Sequence, residues 1–300
     1  MVEVDDLEPS PERVKVVSAG ICGSDLHMLQ SGVARSTLGH EVAGITDDGR
    51  RVAVRPTGEC GTCDPCRTGR PHVCLHAITR LHGVSVDGGL ADFTNAPAIQ
   101  LVPIPDELPL ESAALVEPTA VVLHGVHRVH TEKDMRAVVI GAGSVGLLTA
   151  AALVARGLHV DVVARHPHQQ EAAEKLGARI HDGTANNFDV TFDAVASQQA
   201  FSQAVALTRP TGSIVEFGLF WDPVTLDNQI LFKEISLHPS IFYSHDHNHD
   251  DFTEAAALLS THPHITNTVV THRFPLDDAA EAFRVAADRK AGAIKVHLYT

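Results

Sequence analysis

The chain has 300 residues, room for two domains or one large one; 44% hydrophobic residues supply a sizeable core, and 5% aromatic content leaves its packing to aliphatic side chains and alanine. A formal net charge of −14 repels phosphate backbones and anionic membranes, so no nucleic-acid partner is expected. No apolar run approaches the ~18–20 residues that span a bilayer, so no membrane partner is expected either.

The first residues, Met1–Asp6, are acidic and lack the basic and apolar regions of a signal peptide, which makes a cytoplasmic location the expectation. Residues 12–21 alternate valine with charge and end in glycine, the pattern of a strand running into a turn. Cys22 follows, presented from the turn. Residues 24–29 read as a short helix with a polar cap. The stretch Leu38–Gly39–His40–Glu41–Val42–Ala43–Gly44 comes next, then short strands at 42–45 and 51–54 around the turn Asp47–Asp48–Gly49. These elements predict a small antiparallel β domain.

Cys60, Cys63, Cys66 and Cys74 follow with the spacing C-x2-C-x2-C-x7-C. Four thiolates surround a zinc ion tetrahedrally and leave no open position, so this loop reads as a structural zinc site. A turn at Asp87–Gly88–Gly89, a strand at 90–93 and a proline-punctuated extended segment at 102–105 complete this part. Helical spacing from Glu111 to Arg128 is interrupted by Glu117–Pro118, which reads as a domain junction.

From Ala137 the pattern changes. An apolar strand, 137–140, runs into Gly141–Ala142–Gly143–Ser144–Val145–Gly146, then an alanine- and leucine-rich helix, then a strand at 159–164. In that context G-x-G-x-x-G is a dinucleotide-binding fingerprint: Gly141 for the tight bend, Gly143 for close approach of a pyrophosphate, Gly146 for helix–strand packing, with the amides of Ser144 and Val145 at the helix start. The second strand ends Val162–Val163–Ala164–Arg165–His166. No acid stands at its tip to hold the ribose hydroxyls of NAD. Arg165, assisted by His166, offers a cation to a 2′-phosphate, so NADP(H) is favoured over NAD(H). Apolar segments at 189–196, 213–218 and 235–243 alternate with helical stretches, which argues for an α/β unit with a parallel sheet. His245, His247 and His249 alternate with acids and Asn, a set able to bind a metal adventitiously, but they read as a solvated loop before helices at 252–259 and 276–288, and 292–298 reads as a closing strand.

Cys22 and His40 supply a thiolate and an imidazole. With a carboxylate from Glu41 or Glu117, between which the sequence does not choose, they form a three-ligand set of the kind that holds a catalytic zinc with one open position. Zinc acidifies a bound hydroxyl. Ser24 and His27 are placed to relay the released proton, and Asp25 to hold the far N–H of His40.

Gly20–Ile21–Cys22–Gly23–Ser24–Asp25, Gly39–His40–Glu41, the four-cysteine loop, Asp87–Gly88–Gly89, Glu117–Pro118, the glycine fingerprint and the tail from Thr271 to Phe283 occur in that order. Together they resemble the zinc-dependent medium-chain dehydrogenase/reductase family of alcohol, sorbitol and threonine dehydrogenases. Glu117–Pro118 resembles the polyol and threonine branch. The resemblance implies a GroES-like β domain, 1–118 with 246–300, and an inserted Rossmann doubly wound parallel sheet, 119–245. It also implies homodimers or homotetramers, often built by pairing of Rossmann sheet edges. Against the family, an N-terminal strand is expected to be missing, and the segments between Cys22 and His40 and over 42–54 are short. A trimmed β domain would open the cleft or alter the substrate. The expected function is hydride transfer between NADP(H) and an alcohol or carbonyl, secondary or polyol-like. The alternatives are reduction of an activated C=C or iminium group, and a non-catalytic NADPH-binding protein.

Overall fold

The computed structural model describes residues 11–300 apart from 185, 246–248 and 289; the acidic start of the chain and His247 lie outside the described residues. The valine alternation at the start forms β1 (Glu12–Ile21). Helix α1 (Gly23–Gln30) follows at once, with Cys22 as its N-cap. Asp25, in its first turn, reaches back so that Oδ2 accepts the Cys22 N–H at 2.9 Å. That is the returning half of a capping box. The cap residue is thus Cys22, and Ser24 lies inside the helix.

Strands β2 (Glu41–Thr46) and β3 (Arg51–Val54) follow, then the cysteine loop with its short helix α2 (Asp64–Arg67). Strand β4 (Phe93–Ala96) starts three residues later than the alternation predicts. The residues before it are committed elsewhere: the N–H groups of Gly88, Gly89 and Leu90 donate to the carbonyls of Thr37, Gly39 and Leu38 at 2.8–2.9 Å. The Asp87–Gly88–Gly89 turn therefore clamps the segment that presents His40. Strand β5 (Leu101–Pro103) ends this part.

The run from Glu111 is not broken at Glu117–Pro118. A 3-10 turn, Ala113–Leu115, leads into α3 (Val116–His127). Pro118 sits in the first turn, where backbone N–H groups have no intrahelical partner, so the ring removes no hydrogen bond.

The dinucleotide pattern folds as β6 (Arg136–Ile140), α4 (Ser144–Ala155) and β7 (His159–Val163), then α5 (Pro167–Lys175), β8 (Arg179–Ile180), β9 (Phe188–Asp193), α6 (Gln198–Leu207) and β10 (Thr208–Glu216). A short α7 (Asn228–Phe232), which the pattern did not predict, precedes β11 (Ser236–Pro239). The tail gives α8 (Asp251–Thr261), α9 (Pro263–Val269), β12 (Val270–Pro275), α10 (Ala279–Ala287) and β13 (Lys295–Tyr299). Of these, α9 and β12 were not anticipated.

The strands form two sheets. One has the order β12-β13-β1-β2-β3-β5, with β4 paired to β1. The first and last described strands meet in it, because β13 pairs antiparallel with β1, setting Ile21 opposite Val296. The other is parallel throughout, with the order β11-β10-β9-β6-β7-β8. This is the doubly wound arrangement, with its switch point between β6 and β9, where ligands bind beyond the strand ends. Helix α4 contacts α3, α9, β6 and β7. A helix whose middle, Gly146–Leu153, is buried all round needs no polar face, which is why this one is almost entirely apolar. Helices α8 and α9 add Phe252, Ala255, Leu259, Ile265 and Val269 to the same core. Among the described residues no helix is long and apolar enough to cross a membrane.

Candidate active site and metal centres

Cys22 at the end of β1 and His40–Glu41 at the start of β2 are neighbours because these strands pair, with Gly20 opposite Glu41. Each of the three offers a ligand atom within 4.8 Å of the others. The Glu41 carboxylate lies directly over Gly20. A Cβ at Gly20 would fall 1.9 Å from Glu41 Oε2, so any larger residue there would displace the carboxylate from this position. Glu41 Oε1 accepts from Lys295 Nζ at 2.6 Å, with both side chains buried, while Glu41 Oε2 is buried with no partner. Lys295 also donates to the Ile21 carbonyl at 3.2 Å. His40 turns Nδ1 toward Asp25 Oδ1, 3.4 Å away. Burial alone would lower the His40 pKa, but the neighbouring Cys22 and Asp25 raise it well above its usual value.

Glu117 reaches this centre from the first turn of α3. Burial pushes its carboxyl up to about 8, with Glu41 and Asp25 adding to the rise and His40 and Lys295 opposing it. The group of three mutually close ligand atoms contains Glu41 and not Glu117. A thiol, an imidazole and an orphaned buried carboxylate oxygen in one place fit a divalent ion of the zinc class.

Cys60, Cys63, Cys66 and Cys74 also form one group. Sγ–Sγ separations are 3.4 Å for Cys63–Cys66, 3.8 Å for Cys63–Cys74 and 4.0 Å for Cys60–Cys66. Tetrahedral Zn–S bonds place sulfurs roughly 3.8 Å apart, so the loop fits a four-thiolate zinc site. Backbone N–H groups of Cys60 and His76 point at Cys74 Sγ, and that of Cys63 at Cys60 Sγ. Hydrogen bonds from Thr62 and the backbone pull the Cys60 thiol down to about 5, whereas burial and the neighbouring sulfurs push Cys66 up to about 12.

At the glycine turn, Gly141 has φ +94°, and a Cβ on Gly146 would stand 1.9 Å from the Gly141 carbonyl oxygen. Gly143 faces open space, with nothing within 4 Å of a Cβ built there. The turn is a cradle at the switch point, with Gly143 capping α4 and Ser144 as its first residue.

Residues 9–106 match the alcohol dehydrogenase GroES-like domain, and residues 110–298 match the glucose dehydrogenase C-terminus. The chain belongs to the zinc-dependent medium-chain dehydrogenase/reductase family. It is 29% identical to L-galactonate-5-dehydrogenase of Escherichia coli K12, over 90% of this chain and 86% of that one. It is also 29% identical to L-arabinitol 4-dehydrogenase of Talaromyces emersonii, over 98% of this chain and 86% of that one. A zinc-binding dehydrogenase of Sinorhizobium meliloti 1021, solved bound to NADP, superposes with TM-score 0.88 at 27% identity, covering 100% and 94% of the two chains.

This dehydrogenase is thus an oxidoreductase of the alcohol dehydrogenase type. Its remaining candidate residues fall as follows. Ser24 and His27, one helical turn apart on α1, do not hydrogen-bond to each other. His27 instead stacks on Trp221, the one tryptophan of the chain, with ring centroids 3.6 Å apart. Arg165 is exposed beyond β7 and donates to Gln199 Oε1 at 3.4 Å, at the start of α6. His166 caps α5 and stacks on His168. The one acid of β7, Asp161, stands in mid-strand and not at its tip, paired with Arg179 on the neighbouring β8 at 2.9 Å.

The sequence reading missed three sets of residues. Lys295 is one; a lone lysine inside an apolar closing strand was its signal. Asp193 and Glu216 are the second, buried at the ends of β9 and β10 and opposite one another in register. Burial, then the charge of Asp193, pushes Glu216 up to about 8, and burial raises Asp193 as well. The third is the partnering of the histidine loop. His245 pairs with Glu59 at 2.9 Å, and His249 bonds to Asp251 at 2.6 Å, so neither is simply solvated.

Proposed function

We propose that this chain is a zinc-dependent dehydrogenase/reductase that transfers a hydride between NADP(H) and a secondary-alcohol or polyol-like substrate, or the matching carbonyl. The observation that carries the reading is the convergence of Cys22, His40 and Glu41 around an orphaned buried carboxylate oxygen. In this reading Cys22, His40 and Glu41 hold the catalytic zinc, with Glu117 as a nearby carboxylate able to exchange into that shell. Cys60, Cys63, Cys66 and Cys74 hold a structural one. The polyol preference rests on similarity to an arabinitol and a galactonate dehydrogenase.

When bound, the zinc makes a substrate hydroxyl easier to deprotonate and the nicotinamide takes or returns the hydride. The chain's own residues do the rest. Asp25 fixes the ring of His40 by facing its Nδ1, leaving Nε2 for the metal. Ser24 accepts the substrate proton as it gives up its own; passage on to His27, one turn further along α1, requires His27 to leave its stack on Trp221 and turn toward Ser24. Gly141, Gly143 and Gly146 keep the turn open, so that the N–H groups of Ser144 and Val145 face the pyrophosphate at the start of α4. Arg165 and His166 hold the 2′-phosphate. The cofactor domain is 119–245, and residues 1–118 and 246–300 form the catalytic one. Two or four copies assemble through β11, one of the two edge strands of the parallel sheet.

The test is a panel of secondary alcohols, polyols and ketones with NADP(H) and NAD(H), followed at the nicotinamide absorbance. Turnover that is lost in Cys22→Ser supports the reading. Arg165→Leu should lower kcat/KM for NADP+ by about 10–100-fold, the worth of one charged hydrogen bond, and spare NAD+. Equal use of both cofactors by the wild type overturns the cofactor assignment. A flat panel on zinc-loaded protein overturns the activity.

A further inference from the structure

At the far end of α3, nine residues past Pro118 and about 14 Å along the helix axis, lies a second group of metal-ligating side chains that the proposed hydride chemistry does not use. His127 comes from the last turn of α3, Asp251 from the first turn of α8, and His249 from the segment just before it. One ligand atom of each lies within 4.8 Å of the other two. Asp251 is fully buried. Its Oδ2 is occupied by the Ser244 N–H at 2.7 Å and His124 Nδ1 at 3.1 Å. Its Oδ1 faces His127 Nδ1 at 3.0 Å and His249 Nε2 at 2.6 Å. Two imidazole nitrogens thus converge on one carboxylate oxygen. Ligand atoms bonded to a tetrahedral zinc at 2.0–2.1 Å stand roughly 3.3 Å apart, so a small outward movement of the rings admits an ion.

The opposite ring nitrogens carry the second observation. His127 Nε2 and His249 Nδ1 both face the same atom, Glu254 Oε2, at 3.4 and 3.8 Å. A metal-bound histidine characteristically gives its other N–H to a carboxylate, which fixes the tautomer and makes the ligating nitrogen more basic. Here one carboxylate is placed to do this for both rings. Glu254 is itself held by Arg156, whose Nη2 donates to Oε1 at 2.9 Å. That guanidinium also contacts His127 Nε2; with a metal on Nδ1 this nitrogen bears a proton, and Arg156 then serves Glu254 alone. His127 and His249 are 26% and 36% exposed, so an open coordination position faces solvent.

We infer that His127, His249 and Asp251 form a further divalent-metal site, with Glu254 orienting both imidazoles. Two imidazoles and a carboxylate suit zinc and its borderline neighbours, cobalt, nickel and copper, over calcium or magnesium. The ion would tie the end of α3 to the start of α8.

Cobalt titration of the full-length protein tests this, read by calorimetry and visible absorption. The expected result is one equivalent with d–d absorption and no thiolate charge-transfer band. That equivalent should persist in Cys22→Ser and Cys60→Ser and disappear in His127→Gln and His249→Gln. Glu254→Gln should weaken it about 10–100-fold. His249 is partly exposed, so His249→Gln is expected to fold with an unchanged far-UV spectrum and decides the matter if His127→Gln does not. No thiolate-free equivalent in the wild type, or one that survives both histidine substitutions, overturns the site. Because the cysteine variants report separately, failure here is distinguishable from failure of the hydride-transfer reading.

Discussion

Lys295 and Glu41 are among the least exposed charged side chains of the described residues, at 2% and 1%. A buried pair adds little by existing, yet removing one partner strands the other charge in low dielectric. Lys295→Met should therefore cost about 3–5 kcal/mol in denaturant unfolding of metal-stripped protein, and Glu41→Gln combined with it should recover most of the loss. Glu216 gives a second prediction at this scale. Its folded pKa of about 8 lies above the ordinary 4.5, so the folded state keeps a proton that the unfolded state releases. The stability it contributes is complete below about pH 4.5 and is lost as pH rises through about 8. Glu216→Gln, permanently neutral, should flatten that decline, so the gap in urea midpoint between variant and wild type should widen from about pH 5 to about pH 9. A gap independent of pH would refute the shared burial of these carboxylates as its cause.

Elements are held in place by side chains that serve two partners. Asp250 caps α8, with Oδ1 accepting the Phe252 and Thr253 N–H groups at 2.9 and 3.3 Å, while Oδ2 binds the buried Arg55 at 2.6 Å. Asparagine caps as well as aspartate, so Asp250→Asn isolates the ion pair. Asp250→Ala also removes the cap and should cost about 1 kcal/mol more, measured by thermal unfolding. The same scale shows what the sequence could and could not say. Strand alternation, cysteine spacing and the glycine fingerprint act over a few residues, and all were legible. Pro118 misled because its effect depends on its position in the helix, not on its presence. Lys295, Glu216 and the partners of His249 were not legible, because each is defined by register between distant segments. Lys295 meets Glu41 across 254 positions of sequence. Even so, a charged residue in an apolar strand was a visible anomaly.

At the scale of the whole molecule, one group of exposed apolar side chains lies beside an edge of the parallel sheet. Leu226, Leu231 and Phe232 are 57%, 70% and 84% exposed and precede the edge strand β11; Leu237 within that strand and Ile241 just after it are also exposed. An unpaired edge beside an apolar patch favours self-association. Light scattering coupled to size exclusion should find more than one copy of the chain per particle, and Phe232→Asp should shift the population toward single chains. A monomeric wild type at high concentration would count against the assembly.

The contact between Trp221 and His27 joins the loop between β10 and α7 to the helix that Cys22 caps. Since no other indole exists in the chain, its intrinsic emission is the signal of that one stack. Parting or tightening of the two lobes can therefore be followed in unlabelled protein by fluorescence alone, with His27→Ala as the reference for the unstacked state.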